Sequence, residues 1–382
     1  MPYLVEIVTS AILGVLIAVF MSFSGSTRIA NAPLPQDQVP AATATTTPVA
    51  IVPTPAATAT TAPPVPKKIT PPKPVPPAPT ETPVSTAENA SVQVPVTPPP
   101  SAAAVVEAVR EAVVNIICTT KTGGSFNSIS GSGVMIDGRG VILTNAHVGQ
   151  YLLLGDYPEP GFVNCVIRTG NPAYPRYTAD LLFLPPSWIA TNAAKITESD
   201  PTGNGEHDYA LLRVTGAVSS STQIPLSLPH LAISVAPPGE NQDVFLAGYA
   251  AGFLGGIAIS NNLYESSSQS TVGDLFTFAS STLDLFSVGG TVVAQKGSSG
   301  GAVTDTDGIL IGLIVTATEA ADTGSRDLRA ISTPYIIRDF ERESGMPLQA
   351  FLSGDLASRQ AWFSSSIEPA LRASLKSALG SH

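Results

Sequence analysis

The chain has 382 residues, 35 of them proline, and a formal net charge of −10. An acidic chain without a basic run interleaved with aromatics excludes nucleic acid as a partner. Two cysteines and four histidines, none at metal-ligand spacing, imply no metal, and nothing in the sequence implies a cofactor.

The N-terminus opens with "YLVEIVTSAILGVLIAVFMSF", Tyr3 to Phe23, apolar apart from Glu6 and a few hydroxyls. As a helix it is long enough to cross a hydrocarbon core of roughly 30 Å. A buried core helix would need a neighbouring core, and a proline-rich stretch follows instead. Residues 1–25 therefore read as a transmembrane anchor that holds the rest of the chain outside the cytoplasm, in the periplasm or at the cell surface. The alternative is a signal peptide cut after "ANA", Ala30 to Ala32, giving a secreted protein. No Lys or Arg precedes the apolar run and Arg28 follows it, so charge does not set its orientation.

Residues 26–100 read as a disordered stalk. From Pro33 to Pro100 the chain is mostly Ala, Thr, Pro and Val with no aromatic residue and no hydrophobic period. Such a segment cannot bury enough apolar surface to offset its ordering entropy, and the prolines favour an extended backbone. Lys67, Lys68 and Lys73 are expected there as solvated charges.

From Ser101 onward roughly 280 residues remain, ample for a core. "AAAVVEAVREAVVNIICTT" begins helical and turns strand-like. Short apolar runs then alternate with Gly, Pro, Asn and Asp, as in "GVMIDGRGVILTNAHV", "GFVNCVIRTG", "DYALLRVTG", "NQDVFLAGYAAG" and "DGILIGLIVTATE". Many short strands with turn signals between them predict an all-β domain over 101–345, and Asp137-Gly138 predicts a hairpin. Gly131 and Gly133 of "GSG" are expected to serve a tight turn. The tail, 346–382, has apolar residues at helical spacing (Leu356, Trp362, Phe363, Ile367, Leu371, Leu375, Leu379) and reads as one or two helices packed on the domain.

The chemistry concentrates in "KGSSGGAV", Lys296 to Val303. "GSSGG" fits the G-x-S-x-G elbow of α/β-hydrolases, where the catalytic histidine follows the serine. It also fits the G-x-S-G-G turn of chains that run His, Asp, Ser. The only histidine after Ser299 is His382, the final residue and a poor candidate for a fixed base. His147 in "LTNAHV" and Asp208 in "EHDYALLRV" precede the serine in the second order. His207 and His230 read as structural.

Taken together, "GSGVMIDGRGVILTNAHV", "DYALLRV" and "KGSSGGAV" resemble the three catalytic blocks of trypsin-like serine proteases. They are most similar to the bacterial HtrA/Deg branch, over roughly Val113 to Ile337. The resemblance implies two packed six-stranded antiparallel β-barrels with the active site between them. It implies Ser299 as nucleophile, His147 as general base, Asp208 as the acid that fixes the imidazole, and the N–H groups of Gly297 and Ser299 as the oxyanion hole. Ser298 is expected to be incidental. Val293, six residues before the nucleophile, would floor the specificity pocket, and Val315, Thr316 and Ala317 would line it. With no acid at the floor, cleavage after small or medium apolar residues is expected. Cys118 and Cys165 would fall on neighbouring strands of the first barrel, as a disulfide or as two buried thiols. No segment after Glu341 resembles the PDZ module of many HtrA relatives, and the sequence says nothing of oligomeric state. The function implied is a tethered serine endopeptidase acting on polypeptides. The alternatives are a pseudoprotease that binds through the same scaffold and a stalked surface protein.

Overall fold

The computed structural model describes residues 66–69, 101–121, 127–198, 201–252, 254–279, 281–317 and 326–380. The apolar run Tyr3–Phe23 lies outside the described residues, as does the stalk apart from 66–69. Among the described residues no helix is long and apolar enough to cross a membrane.

In chain order the first half comprises β1 (Lys67–Ile69), α1 (Ala102–Ala112), β2 (Val113–Thr120), β3 (Ile129–Asp137), β4 (Val141–Thr144), α2 (Ala146–Gly149), β5 (Val163–Thr169), β6 (Tyr174–Phe183), α3 (Pro186–Asn192) and β7 (Ala210–Ala217). The second half comprises β8 (Asp243–Gly248), α4 (Gly256–Asn261), β9 (Ser266–Thr271), β10 (Leu275–Thr277), β11 (Leu285–Gly289), β12 (Ala302–Thr304), β13 (Leu310–Ala317) and β14 (Leu328–Ser332). Four helices close the chain: α5 (Thr333–Ser344), α6 (Leu348–Ser353), α7 (Leu356–Ser366) and α8 (Glu368–Gly380).

Ser101 caps α1 by accepting from the Ala104 N–H, and Val105, Val109 and Ala112 form its buried stripe. The β-branched run "VVNII" then turns the backbone extended without a break, as β2. The hairpin predicted at Asp137 is present, but the residue with positive φ is Gly140 (+87°), whose N–H donates to Asp137 O at 2.9 Å.

Strands β2-β3-β4-β7-β6-β5 form a closed antiparallel barrel. Its last seam pairs β2 with β5 and sets Cys118 opposite Cys165, and the two sulfurs are bonded. The second half departs from the expected six-stranded barrel. It is an open eight-stranded sheet in the order β1-β10-β11-β14-β13-β12-β8-β9. One edge strand is β9, "SSSQST", whose polar side chains alternate between half-buried and exposed and suit an edge in water. The other edge is β1, drawn from the segment expected to be a bare stalk. Lys67 and Lys68 therefore lie on a strand, and Lys68 pairs with Asp274 at 2.6 Å.

The tail helices pack on the first barrel. Phe183 of β6 meets Phe340 of α5 at 4.7 Å and Phe363 of α7 at 5.9 Å between ring centroids, and Phe340 meets Phe351 of α6 at 5.0 Å. Leu371, Leu375 and Leu379 are buried along one face of α8.

Candidate active site

The pairing of β4 with β7 decides where His147 and Asp208 meet. Thr144 lies opposite Ala210, so the residues just after β4 and just before β7 leave the barrel at the same end. Asn145 fixes this corner. Its carbonyl accepts from the N–H of Val148 and Gly149, and its Nδ2 donates to Asp208 O at 2.8 Å. Asp208 Oδ1 then accepts the His147 N–H at 2.9 Å, and Oδ2 lies 2.8 Å from His147 Nδ1.

A carboxylate only accepts, so the Nδ1 proton is the one donated and the lone pair of Nε2 is left for a hydroxyl. Burial pulls the imidazole pKa down, but the charge of Asp208 and its hydrogen bond outweigh it and leave the ring above its ordinary 6.5.

Ser299 sits half-buried on a turn between Ala294 and β12. Gly297 (φ +96°) and Gly300 (φ +86°) shape this turn. A Cβ on Gly300 would lie 2.0 Å from Ser132 O and 2.6 Å from Thr144 Oγ1, so the turn presses directly on β3 and on the end of β4. Among the described residues, neither the Gly297 nor the Ser299 N–H has a backbone acceptor, although the neighbouring Ser298, Gly300 and Gly301 N–H groups do. His147 makes its side-chain hydrogen bond to Asp208 and none to Ser299.

Ser132 joins the two halves at this point. It is fully buried within β3, so "GSG" is strand and not the tight turn expected. Its N–H donates to Ser299 O at 2.7 Å, and its hydroxyl donates to Gly297 O at 2.8 Å. That hydroxyl also accepts from Tyr249 N, and Ser132 O accepts from Thr144 Oγ1. The flanking glycines leave room: a Cβ on Gly131 would strike Val148, and one on Gly133 would strike Ile142. Sequence reasoning passed over Ser132. Its one signal is a serine held between two glycines, Gly131 and Gly133.

A second His–carboxylate pair stands beside the first. His207 has φ +59°, unusual for a residue with a side chain. Its N–H donates to Tyr335 Oη at 3.1 Å, and its Nδ1 lies 2.8 Å from Oδ2 of Asp339, which is buried on α5. Burial lowers the His207 pKa, but its hydrogen bond to Asp339 and the nearby carboxylates raise it above the ordinary value. His207, Asp339 and Glu343 bring three ligand-type atoms within 4.8 Å of one another. Asp339 already pairs with Arg342, and Glu343 accepts from the N–H and hydroxyl of Ser187. The group is an ion-pair and hydrogen-bond network holding the Asp208 loop to α5.

The other expected residues lie as follows. Val293 is fully buried in the core under the second sheet, with Val244, Leu246, Val303 and Ile314. Val315 is buried on β13, and the backbones of Thr316 and Ala317 pair with Arg329 and Leu328. His230 Nδ1 lies 2.9 Å from Leu228 O. His382 lies outside the described residues.

Comparison with known proteins follows this geometry. A family model, the trypsin-like peptidase domain, matches residues 131–313, from the "GSG" of β3 into β13. The matched stretch is similar to a trypsin-like peptidase domain. No curated protein matches it significantly. Among solved structures it is similar to the serine endoprotease from Yersinia pestis, with 20% identity, a TM-score of 0.40, and coverage of 64% of this chain and 66% of that one. It is also similar to the active form of the Rv3671c protease from M. tuberculosis, with 18% identity, a TM-score of 0.38, and coverage of 68% and 94%. The likeness thus spans just under two thirds of the Yersinia chain.

Proposed function

We propose that this folded domain is a serine endopeptidase that cuts polypeptides through an acyl-enzyme. The observation that carries the reading is the His147–Asp208 hydrogen bond at the barrel end where the glycine turn bearing Ser299 docks. Ser299 Oγ attacks the substrate carbonyl while His147 Nε2 takes its proton. Asp208 keeps the ring in the required tautomer and stabilises the imidazolium. The oxyanion accepts from the N–H groups of Gly297 and Ser299, and collapse expels the amine with the proton returned by His147. Water repeats the sequence on the acyl-enzyme.

The proposed specificity is for small or medium apolar residues on the N-terminal side of the cut. Val293 offers no carboxylate at the expected floor. A substrate Lys or Arg would be desolvated there without a partner. We also propose that the apolar N-terminal run tethers the domain outside the cytoplasm, on the sequence argument alone.

The test uses the full chain. Casein hydrolysis and labelling by a serine-directed fluorophosphonate are expected in the wild type, and both are lost in Ser299→Ala. Labelling at Ser298, or hydrolysis surviving in Ser299→Ala, overturns the assignment. A fold that binds peptides without labelling indicates a pseudoprotease instead.

A further inference from the structure

Between Pro33 and Pro100 the sequence offers little to a folded domain, yet three residues of it, Lys67–Ile69, form an edge strand of the second sheet. We propose that these residues are a docking strand. The free edge of β10 is then a binding slot for this segment of the same chain, and its capture fixes where the Pro-rich segment leaves the domain.

Four observations meet here. The pairing is antiparallel and in register over the whole of β10: Lys67 with Thr277, Lys68 with Phe276, Ile69 with Leu275. The other side of β10 is already paired with β11, so without β1 a row of β10 backbone groups would face water. The side chains fit their surroundings as well. Ile69 packs against the apolar core under the sheet, and Lys68 reaches Asp274 at 2.6 Å. The hydrogen bond and charge of Asp274 hold the ammonium above its ordinary pKa, with a smaller contribution from Glu240. Finally, the segment is bounded chemically. Pro66 precedes it, and Pro71 and Pro72 follow Thr70, so a strand cannot extend far in either direction. "KKI" is also the only place between Pro33 and Pro100 where two charges adjoin a β-branched apolar residue.

A three-residue strand with one surface ion pair is weak as a free peptide. Its attachment through residues 70–100 changes that. Belonging to the same chain supplies an effective concentration on the order of millimolar, so a strand too weak to bind from solution docks within its own chain. The same arithmetic disfavours exchange between copies at ordinary protein concentration.

Amide hydrogen exchange on the full chain tests this. In the wild type, the Lys67 and Ile69 amides, which face β10 in the alternating antiparallel pattern, are expected to exchange at least about tenfold more slowly than the amides of residues 84–94. Lys68→Glu and Asp274→Lys should each remove the protection, and the combined charge swap should restore most of it. Equal exchange at the two segments in the wild type overturns the proposal, and so does protection that neither reversal changes. Protection that grows with protein concentration would mean capture from a second copy, which overturns docking within the chain. None of these readouts depends on peptidase activity, so failure here is distinct from failure of the catalytic assignment.

Discussion

The two halves of the folded domain solve different problems. The first is a closed barrel, its seam stapled by Cys118–Cys165, and it holds His147 and Asp208 through strand pairing and the Asn145 corner. The second is an open sheet with a polar edge at β9 and a borrowed strand at β1, and it presents Ser299 on a glycine turn. In the proposed mechanism the base and its carboxylate need fixed geometry, which a closed barrel provides. The proposed mechanism needs unpaired N–H groups on the Ser299 turn, and the second half leaves that task to glycines pressed against Ser132 of the first.

The sharpest way to break this division is Gly300→Ala. The new Cβ would strike backbone, not a side chain that can move, and the residue would be held at φ +86°. We expect kcat to fall by on the order of 10²–10³, the scale of losing an oxyanion donor, while circular dichroism shows the fold intact. Near-normal turnover would show that the turn does not need its close seat on β3.

Replacing both Cys118 and Cys165 by serine attacks the first half alone. The lost cross-link is expected to cost roughly 2–4 kcal/mol, read as a lower Tm, with kcat of the folded protein little changed. An unchanged Tm would mean that the barrel seam holds without its staple.

The third test concerns the loop bearing Asp208. Only neutral His147 can take the serine proton, and its raised pKa means that it keeps its own proton to higher pH. The acid limb of kcat/KM should therefore have its midpoint above pH 6.5 in the wild type. Asp339→Asn weakens the hold on His207 and lets Asp208 drift. We expect the limb to move down toward 6.5 and kcat/KM at pH 8 to drop about tenfold, or ~1.4 kcal/mol. A change in Tm without a shift of the limb would make Asp339 purely structural.

The smallest expected effect is Ser298→Ala. The Ser298 hydroxyl is buried with no hydrogen-bond partner among the described residues, so its removal breaks no bond. Stability should stay within about 0.5 kcal/mol of the wild type, and activity should be preserved. An inactive Ser298→Ala would place the nucleophile one residue earlier.

What the sequence revealed and what it hid follow from distance along the chain. The strand runs, the Ser101 helix and the order His147, Asp208, Ser299 were legible because each is carried by local pattern. The "GSG" of β3 was misread as a turn because the contacts of Ser132 lie 165 residues away at Gly297 and 117 away at Tyr249. His207 looked structural, and nothing nearby in sequence shows that its partner Asp339 sits 132 residues downstream. The open second sheet escaped prediction because one of its edges is supplied by three residues inside a proline-rich stretch, where composition argues against any strand.

The clamp of α5 on the Asp208 loop also orders events during synthesis. Asp339 is made 132 residues after His207, an interval of about 7–26 s at ribosomal rates of roughly 5–20 residues per second. Through that interval the first barrel can close, but its carboxylate loop lacks the anchor on α5. Ser299, the proposed nucleophile, is translated only shortly before the residues that fasten the loop. We expect a ribosome-bound chain that stops before α5 to hold a formed first barrel and no peptidase activity, so the nascent protein passes through its own assembly without a competent blade.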